Sequence, residues 1–69
     1  MIGKRLRESR YSQGMSQSRL EGRAGLTRGY VSKIEKGYKM PTLETLKSLA
    51  AALGISFSWL ATGEDNDYT

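Results

Sequence analysis

The sequence predicts an all-α domain of five helices, and three features of the chain support that fold class. Apolar residues recur at spacings of three and four positions, as on an amphipathic helix, and no long segment alternates with the period of a strand. A glycine, the usual residue just after a helix, follows each such segment. These glycines are Gly14, Gly25, Gly37, Gly54 and Gly63. Hydroxyl residues that can cap free helical N–H groups precede the last four segments. They are Ser16, Thr27, Thr42 and Ser56.

Each predicted helix carries apolar residues that can face a common core. In chain order the recurring positions are Ile2, Leu6 and Arg10; Leu20 and Ala24; Tyr30, Val31 and Ile34; Leu43, Leu46, Leu49, Ala50 and Leu53; and Trp59 and Leu60. Pro41, directly before Thr42, reinforces the start of the fourth helix. We expect Trp59 to be a core residue.

Residues 1–63 are predicted to form one domain, and residues 64–69 an acidic, disordered tail. The 69 residues include no Cys and no His, so disulfides and zinc fingers are excluded and stability must come from helix packing and self-association. The basic amino terminus is not followed by an apolar run, which indicates neither a signal peptide nor a membrane span. We expect a cytoplasmic protein without a membrane partner.

The charge of the predicted domain is strongly positive. The whole chain has a net charge of +4, but residues 1–63 contain all eleven Lys and Arg and only four of the seven acids, which gives +7. A small body with this charge suits an anionic partner, and nucleic acid is favoured over a membrane surface. A soluble basic protein without such a partner is the alternative interpretation.

The second and third predicted helices are joined by only residues 24–27, so the two helices must cross at a steep angle. Gly25 can take the left-handed conformation of a sharp turn, Leu26 can enter the core, and Thr27 can cap the next helix. This is the arrangement of a helix-turn-helix, whose second helix lies in the DNA major groove. Any corner between two helices shares that geometry, so the segment alone does not establish DNA binding.

Motifs between residues 16 and 56 fix residue type as well as spacing. They are Ser16-Gln17-Ser18-Arg19-Leu20, Ala24-Gly25-Leu26-Thr27, Tyr30-Val31-Ser32-Lys33-Ile34-Glu35-Lys36-Gly37, Pro41-Thr42-Leu43-Glu44-Thr45-Leu46 and Ala52-Leu53-Gly54-Ile55-Ser56. Across residues 2–63 they resemble the Cro/repressor-type (Xre) helix-turn-helix family, and residues 58–64 are similar to temperate-phage repressors. The resemblance implies a lambda-repressor-like domain that regulates transcription, as a repressor, by binding a near-palindromic operator in double-stranded DNA as a homodimer. No cofactor, metal or small-molecule substrate is expected.

Two positions depart from that family. Glu21 follows the Leu of the second helix, where the family usually has Ala, so its side chain is expected to lean outwards or to find a cationic partner. Gly29 falls inside the predicted recognition helix, where most relatives carry a DNA-contacting side chain. It either permits close approach to DNA or occupies a tolerated surface position.

Arg28, in the first turn of the predicted recognition helix, is the best candidate for reading a base, because a guanidinium can bond guanine O6 and N7 together. Ser32 and Lys33 follow at helical spacings of four and five, which predicts that they share the face of Arg28. Gly29 completes the predicted base-contacting set. Val31 and Ile34 are expected to point inwards.

The predicted contacts to the DNA backbone surround that helix. Gln17 resembles the phosphate-contacting glutamine of the family, at a helix start that reinforces the contact. Tyr30 can contact a phosphate or a thymine methyl group, or pack against the loop. The full backbone-contacting set is Gln17, Thr27, Tyr30, Lys36, Tyr38 and Lys39.

The resemblance also implies structural roles. Arg10 and Glu35 match positions that form a semi-buried ion pair between the first helix and the end of the third. Phe57 resembles positions of the family's dimer contact and is predicted to lie in the homodimer interface. The remaining basic residues are predicted to be solvated, with Arg19 and Arg23 nearest to phosphate. They are Arg5, Arg7, Arg19, Arg23 and Lys47.

Two other classes of function are alternatives to DNA binding. The chain lacks His, Cys, paired carboxylates and a phosphate-binding glycine loop, so we expect it not to be an enzyme. The alternative is an antitoxin or a restriction-modification controller of the same fold, with protein–protein interaction as a main role. A small complete regulator and the DNA-binding headpiece of a longer chain both remain open.

Overall fold

The structure, a computed structural model, describes residues 1–64 and contains the five predicted helices in that range. They are α1 (Ile2–Ser12), α2 (Gln17–Ala24), α3 (Tyr30–Glu35), α4 (Leu43–Leu53) and α5 (Phe57–Thr62). Among the residues described, no helix has the length and apolar character needed to cross a membrane. Of the tail predicted for 64–69, all but Glu64 lies outside the described residues.

Three of the four predicted hydroxyl caps are confirmed by their hydrogen bonds. The hydroxyl oxygens of Ser16, Thr42 and Ser56 accept the backbone N–H three residues on, at 3.0, 3.1 and 3.1 Å. The glycines after α2, α4 and α5 have the positive φ angles of left-handed caps. The predicted helix boundaries at these positions are therefore correct.

The predicted start of α3 is wrong. Thr27 does not cap this helix, which begins only at Tyr30, and the residue before it is Gly29 with φ +89°. Arg28 and Gly29 therefore lie in the turn before α3 and not inside the helix. The cap of α3 comes from α2, as described below.

The apolar faces of the helices meet in one core. Its largest fully buried side chains are Leu6, Leu20, Val31, Leu49 and Leu60. The helix pairs with the most extensive contacts are α2 with α4, α1 with α3, α4 with α5, α2 with α3, and α1 with α5. Trp59, expected in the core, is half-buried against it, and so is Phe57, which the sequence predicts to lie in the homodimer interface.

Gly3 allows α1 to pack closely on the end of α3. A Cβ atom at this position would lie 2.6 Å from the carbonyl oxygen of Ile34 and 2.9 Å from that of Glu35. Both obstacles are backbone atoms that cannot move aside. The contact fixes the distance between α1 and the carboxyl end of α3.

The predicted ion pair between α1 and α3 is present at the same contact. Arg10 donates from Nε to Oε2 of Glu35 and from a terminal guanidinium nitrogen to Oε1, both at 2.8 Å. A further guanidinium nitrogen donates to the carbonyl oxygen of Met15 at 3.0 Å. Both Arg10 and Glu35 are buried. This bidentate geometry fixes orientation as well as distance.

Two of the arginines predicted to be solvated bind backbone carbonyl groups. Arg5 is half-buried, contrary to that prediction, whereas Arg7 is exposed as predicted. Arg5 donates to the carbonyl oxygens of Leu60 and Ala61, at 3.0 and 3.1 Å, and so satisfies free acceptors in the last turn of α5. Arg7 donates to the carbonyl oxygen of Glu35 at 3.2 Å, at the end of α3. Arg19, Arg23 and Lys47 are exposed, as predicted.

Replacing Arg10 by Met tests the ion pair. The variant keeps an apolar stem but leaves the buried Glu35 carboxylate without its main partner, which costs about 3–5 kcal/mol. At roughly 4–8 °C per kcal/mol, we expect a thermal midpoint at least about 12 °C lower in circular dichroism. Arg19→Met, at an exposed position of α2, is the control and should shift the midpoint by no more than a few degrees. A midpoint for Arg10→Met within about 4 °C of the wild type would contradict this role.

Candidate DNA interface

The corner between α2 and α3 has the predicted form. Gly25 ends α2 with φ +72°, a left-handed conformation that lets the chain reverse direction without the strain a side chain would add. The N–H of Leu26 donates to the carbonyl oxygen of Glu21 at 2.9 Å, and the Leu26 side chain packs against the core. These contacts join the end of α2 to the turn that precedes α3.

A second, tighter turn follows before α3 begins. The N–H of Tyr30 donates to the carbonyl oxygen of Thr27 at 3.2 Å, and Gly29 stands at the third position with φ +89° and ψ −8°. Together with the negative φ of Arg28, these angles are those of a type II turn, which requires a residue such as glycine there. Arg28 is exposed at the second position of this turn.

Glu21 provides the cap that Thr27 was expected to provide. Its Oε2 accepts hydrogen bonds from the N–H groups of Gly29 and Val31, both at 3.0 Å, and the residue is only 5% exposed. The expectation that Glu21 leans outwards or pairs with a cation is wrong. A carboxylate is favoured at a helix amino terminus because it faces unpaired N–H groups and the positive end of the helix dipole. The signal available in the sequence was a Glu at a position where the family usually has Ala.

Within α3 the inward and outward residues are as predicted, but their relation to Arg28 is not. Val31 and Ile34 are buried, Lys33 is exposed and Ser32 is half-buried. Because Arg28 lies outside the helix, helical spacing does not place it on one face with Ser32 and Lys33.

The loop after α3 contains the remaining predicted contacts. Lys36, Tyr38 and Lys39 are all exposed, and Tyr38 retains 78% of its accessible surface. The Lys39 ammonium lies over the ring of Tyr30, 4.9 Å from its centroid. This cation–π contact brings two predicted backbone-contacting side chains together on one surface.

Gln17 is held by the ion pair of the core. Its side-chain amide donates to Oε1 of Glu35 at 3.0 Å, from the first position of α2. Gln17 thus links the start of α2 to the end of α3. Its predicted phosphate contact would have to be made while this hydrogen bond is kept or exchanged.

Exposed charge in the corner and the following loop is entirely basic. Glu21 and Glu35 are the only acids between residues 9 and 43, and both are buried. The exposed basic residues of this stretch are Arg19, Arg23, Arg28, Lys33, Lys36 and Lys39. No exposed carboxylate of this stretch weakens the positive potential.

The comparisons with known proteins agree with this geometry. A helix-turn-helix family model matches residues 4–60, which include all of α2 to α4 and the corner. The chain belongs to this helix-turn-helix family. The predicted resemblance is thereby confirmed.

Relatives within the helix-turn-helix family include curated regulators and solved structures. The chain is 37% identical to the HTH-type transcriptional regulator y4dJ of Sinorhizobium fredii, over 94% of this chain and 84% of y4dJ. The crystal structure of the restriction-modification controller protein C.AhdI from Aeromonas hydrophila is similar at 41% identity and a TM-score of 0.83, covering 86% of this chain and 89% of that one. The amino-terminal DNA-binding domain of SinR from Bacillus subtilis is similar at 32% identity and a TM-score of 0.85, with 97% of both chains covered. Other curated regulators are longer, and this chain spans 28–60% of their length.

The Glu35 carboxylate of this helix-turn-helix domain has a lowered pKa. Burial raises it, but hydrogen bonds from Arg10 and Gln17, together with the charges of Arg10 and Arg7, outweigh burial and hold the pKa below the ordinary value of 4.5. A group whose pKa is lower in the folded state stabilises the fold above its unfolded pKa. That contribution is lost as the pH falls through the lower, folded pKa.

We therefore expect the urea midpoint of the domain to fall as the pH is lowered from about 5 to 3, because protonation of Glu35 breaks the pair. Glu35→Gln should be less stable at neutral pH and should lose less over this range. Glu8→Gln, an exposed acid of α1, is the control and should follow the wild-type profile. Parallel profiles for wild type and Glu35→Gln would show that Glu35 does not carry the acid sensitivity.

Proposed function

We propose that this protein is a sequence-specific DNA-binding transcriptional regulator, and that it represses by binding a near-palindromic operator as a homodimer. Family membership, the geometry of α2 and α3, and the regulators among its relatives support this function. Such a regulator would act in the cytoplasm, as the sequence led us to expect.

The observation that carries the proposal is the separation of charge in the corner. Both acids of residues 9–43 are buried against N–H groups or a guanidinium, while six basic side chains of the same stretch remain exposed. A surface of this kind attracts the phosphate backbone, the main source of affinity in most protein–DNA complexes. Together with the helix-turn-helix, such a surface supports the insertion of α3 into a major groove.

Bases would be read by the residues at the amino end of α3. We propose Arg28 for bidentate bonding to guanine, with Ser32 and Lys33 contacting neighbouring bases. Gly29 would allow close approach, since a Cβ there would meet no protein atom within 4 Å and the position is open to a ligand.

The DNA backbone would be contacted on both sides of that helix. We propose Lys39 and Tyr30 as one unit, because their cation–π contact already aligns them. The complete proposed set is Gln17, Thr27, Tyr30, Lys36, Tyr38 and Lys39.

Dimer formation would use α5 and its half-buried Phe57. Part of the Phe57 ring packs on the core of its own chain, so only the remaining surface is free to contact a second copy. We therefore propose a small interface that is completed on DNA, where two half-sites bring the copies together.

A restriction-modification controller is a second candidate function. The C.AhdI structure supports it, because this chain covers 89% of that controller at 41% identity. A controller would also bind DNA, so this candidate differs in the genes regulated and not in the interface. An antitoxin role remains a sequence-based alternative.

Selection from random duplexes tests the proposed function. We expect an inverted repeat whose half-site centres are about 34 Å apart, one helical turn, protected by two chains. If each chain neutralises about three or four phosphates, the plot of log affinity against log salt should have a slope near −5 to −7. Recovery of no common sequence, or a slope flatter than about −2, would defeat the proposal.

Arg28→Ala and Lys39→Ala should weaken binding in different ways. Arg28→Ala is expected to cost about 1–3 kcal/mol per half-site and to remove base preference at one position, with random-duplex affinity little changed. Lys39→Ala should weaken selected and random duplexes alike and make the salt slope shallower by about one for each phosphate that is no longer neutralised. Lys47→Ala, an exposed residue of α4, is the matched control. An unchanged selected sequence for Arg28→Ala would exclude it as the base-reading residue.

A further inference from the structure

We infer that Glu21 is a positioning residue for base recognition, which sets the direction in which Arg28 leaves the protein. The inference rests on the proposed function, since it concerns the same interface. Glu21 lies on α2 and is buried, so its own carboxylate is too enclosed to read a base.

Glu21 accepts hydrogen bonds from two N–H groups that bracket the start of α3. One belongs to Gly29 in the turn, and the other to Val31 in the first turn of the helix. Both go to the same oxygen, Oε2, at 3.0 Å. A single atom of α2 therefore fixes two peptide planes on either side of Tyr30.

These two hydrogen bonds act on the turn that precedes α3. An N–H of residue 29 directed towards α2 goes together with the positive φ of Gly29, a conformation that glycine adopts without strain. Without the carboxylate, Thr27 can act as an ordinary hydroxyl cap, and Arg28 and Gly29 can join the helix as its first residues. Glu21 thus favours a start of α3 at Tyr30 over a start two residues earlier.

In the type II turn the Arg28 side chain projects from a loop. In a longer helix it would project from the first helical turn, where successive side chains are rotated by about 100° around the helix axis. Arg28 and Glu21 line the same surface cleft, together with Ser18, Gly22 and Leu26. Because a bidentate contact to guanine tolerates little change in direction, the choice between the two starts becomes a choice of base preference.

Glu21→Ala is the direct test. At 10 °C, where the variant remains folded, we expect the preference for the selected base at the Arg28 position to fall from about 10–100-fold to below about threefold. Random-duplex affinity should change by less than twofold. The thermal midpoint should fall by about 5–15 °C, because two N–H groups lose their acceptor. Glu8→Ala, which also removes a carboxylate but from an exposed position, should leave all three values at the wild-type level.

Glu21→Gln separates positioning from folding. The amide oxygen can accept both N–H bonds, so this variant should retain most of the base preference and a midpoint within about 5 °C of the wild type. A loss of preference as complete as that of Glu21→Ala would overturn the inference. Amide hydrogen exchange provides a reading without DNA: exchange at Gly29 and Val31 should accelerate at least about tenfold in Glu21→Ala and not in Glu8→Ala.

A double-mutant cycle with Arg28→Ala decides whether Glu21 acts through Arg28. In the Arg28→Ala background, Glu21→Ala should produce no further loss of selectivity. An equal loss with and without Arg28, or a base preference retained by Glu21→Ala, would overturn this inference alone. A wild-type domain with no base preference would overturn the proposed function, and the inference with it.

Discussion

The interactions on which the helix-turn-helix depends are the hydrogen bonds of two buried carboxylates, one at each end of α3. With six residues, α3 is far too short to be stable as an isolated helix. Glu21 of α2 holds its amino end through two N–H groups, and Glu35, its last residue, is bound by Arg10 of α1 and Gln17 of α2. The helix is therefore fixed at both ends by its neighbours, while Val31 and Ile34 hold its middle in the core.

These carboxylates also determine the electrostatics of the surface. An exposed acid beside Arg28 or Lys36 would repel phosphate. Turned inward, Glu35 is paired with Arg10, and Glu21 faces the N–H groups of Gly29 and Val31. Glu21 and Glu35 thus hold the helix in place without reducing the positive charge that faces solvent. The same two residues thus stabilise α3 and leave the exposed charge of residues 9–43 basic.

The sequence was sufficient to predict the helices and the core, and less so the details of the site. Hydroxyl caps at Ser16, Thr42 and Ser56 were predictable because each acceptor lies three residues from its donor. Thr27 failed because Glu21, six positions earlier and on another helix, supplies a competing acceptor that no local pattern reveals. Arg5 illustrates the same limit, since its partners lie 55 and 56 residues away. The exposed basic residues of the site were predictable from type and spacing, but the turn that places Arg28 was not.

The hydrogen bonds at both ends of α3 fix its orientation in a way that apolar packing alone does not. A buried ion pair adds little net stability compared with apolar residues of the same shape, because desolvation offsets most of its attraction. Its geometry is specific, however: two 2.8 Å bonds between Arg10 and Glu35 define a plane, and two bonds to one Glu21 oxygen define a second direction. Contacts of apolar side chains such as Val31 and Ile34 are not directional, and they restrict small rotations of α3 about its axis less than hydrogen bonds do. Fixing both ends removes that rotation, and a reader of base edges needs its rotation fixed, because hydrogen bonds to bases depend on direction as well as distance.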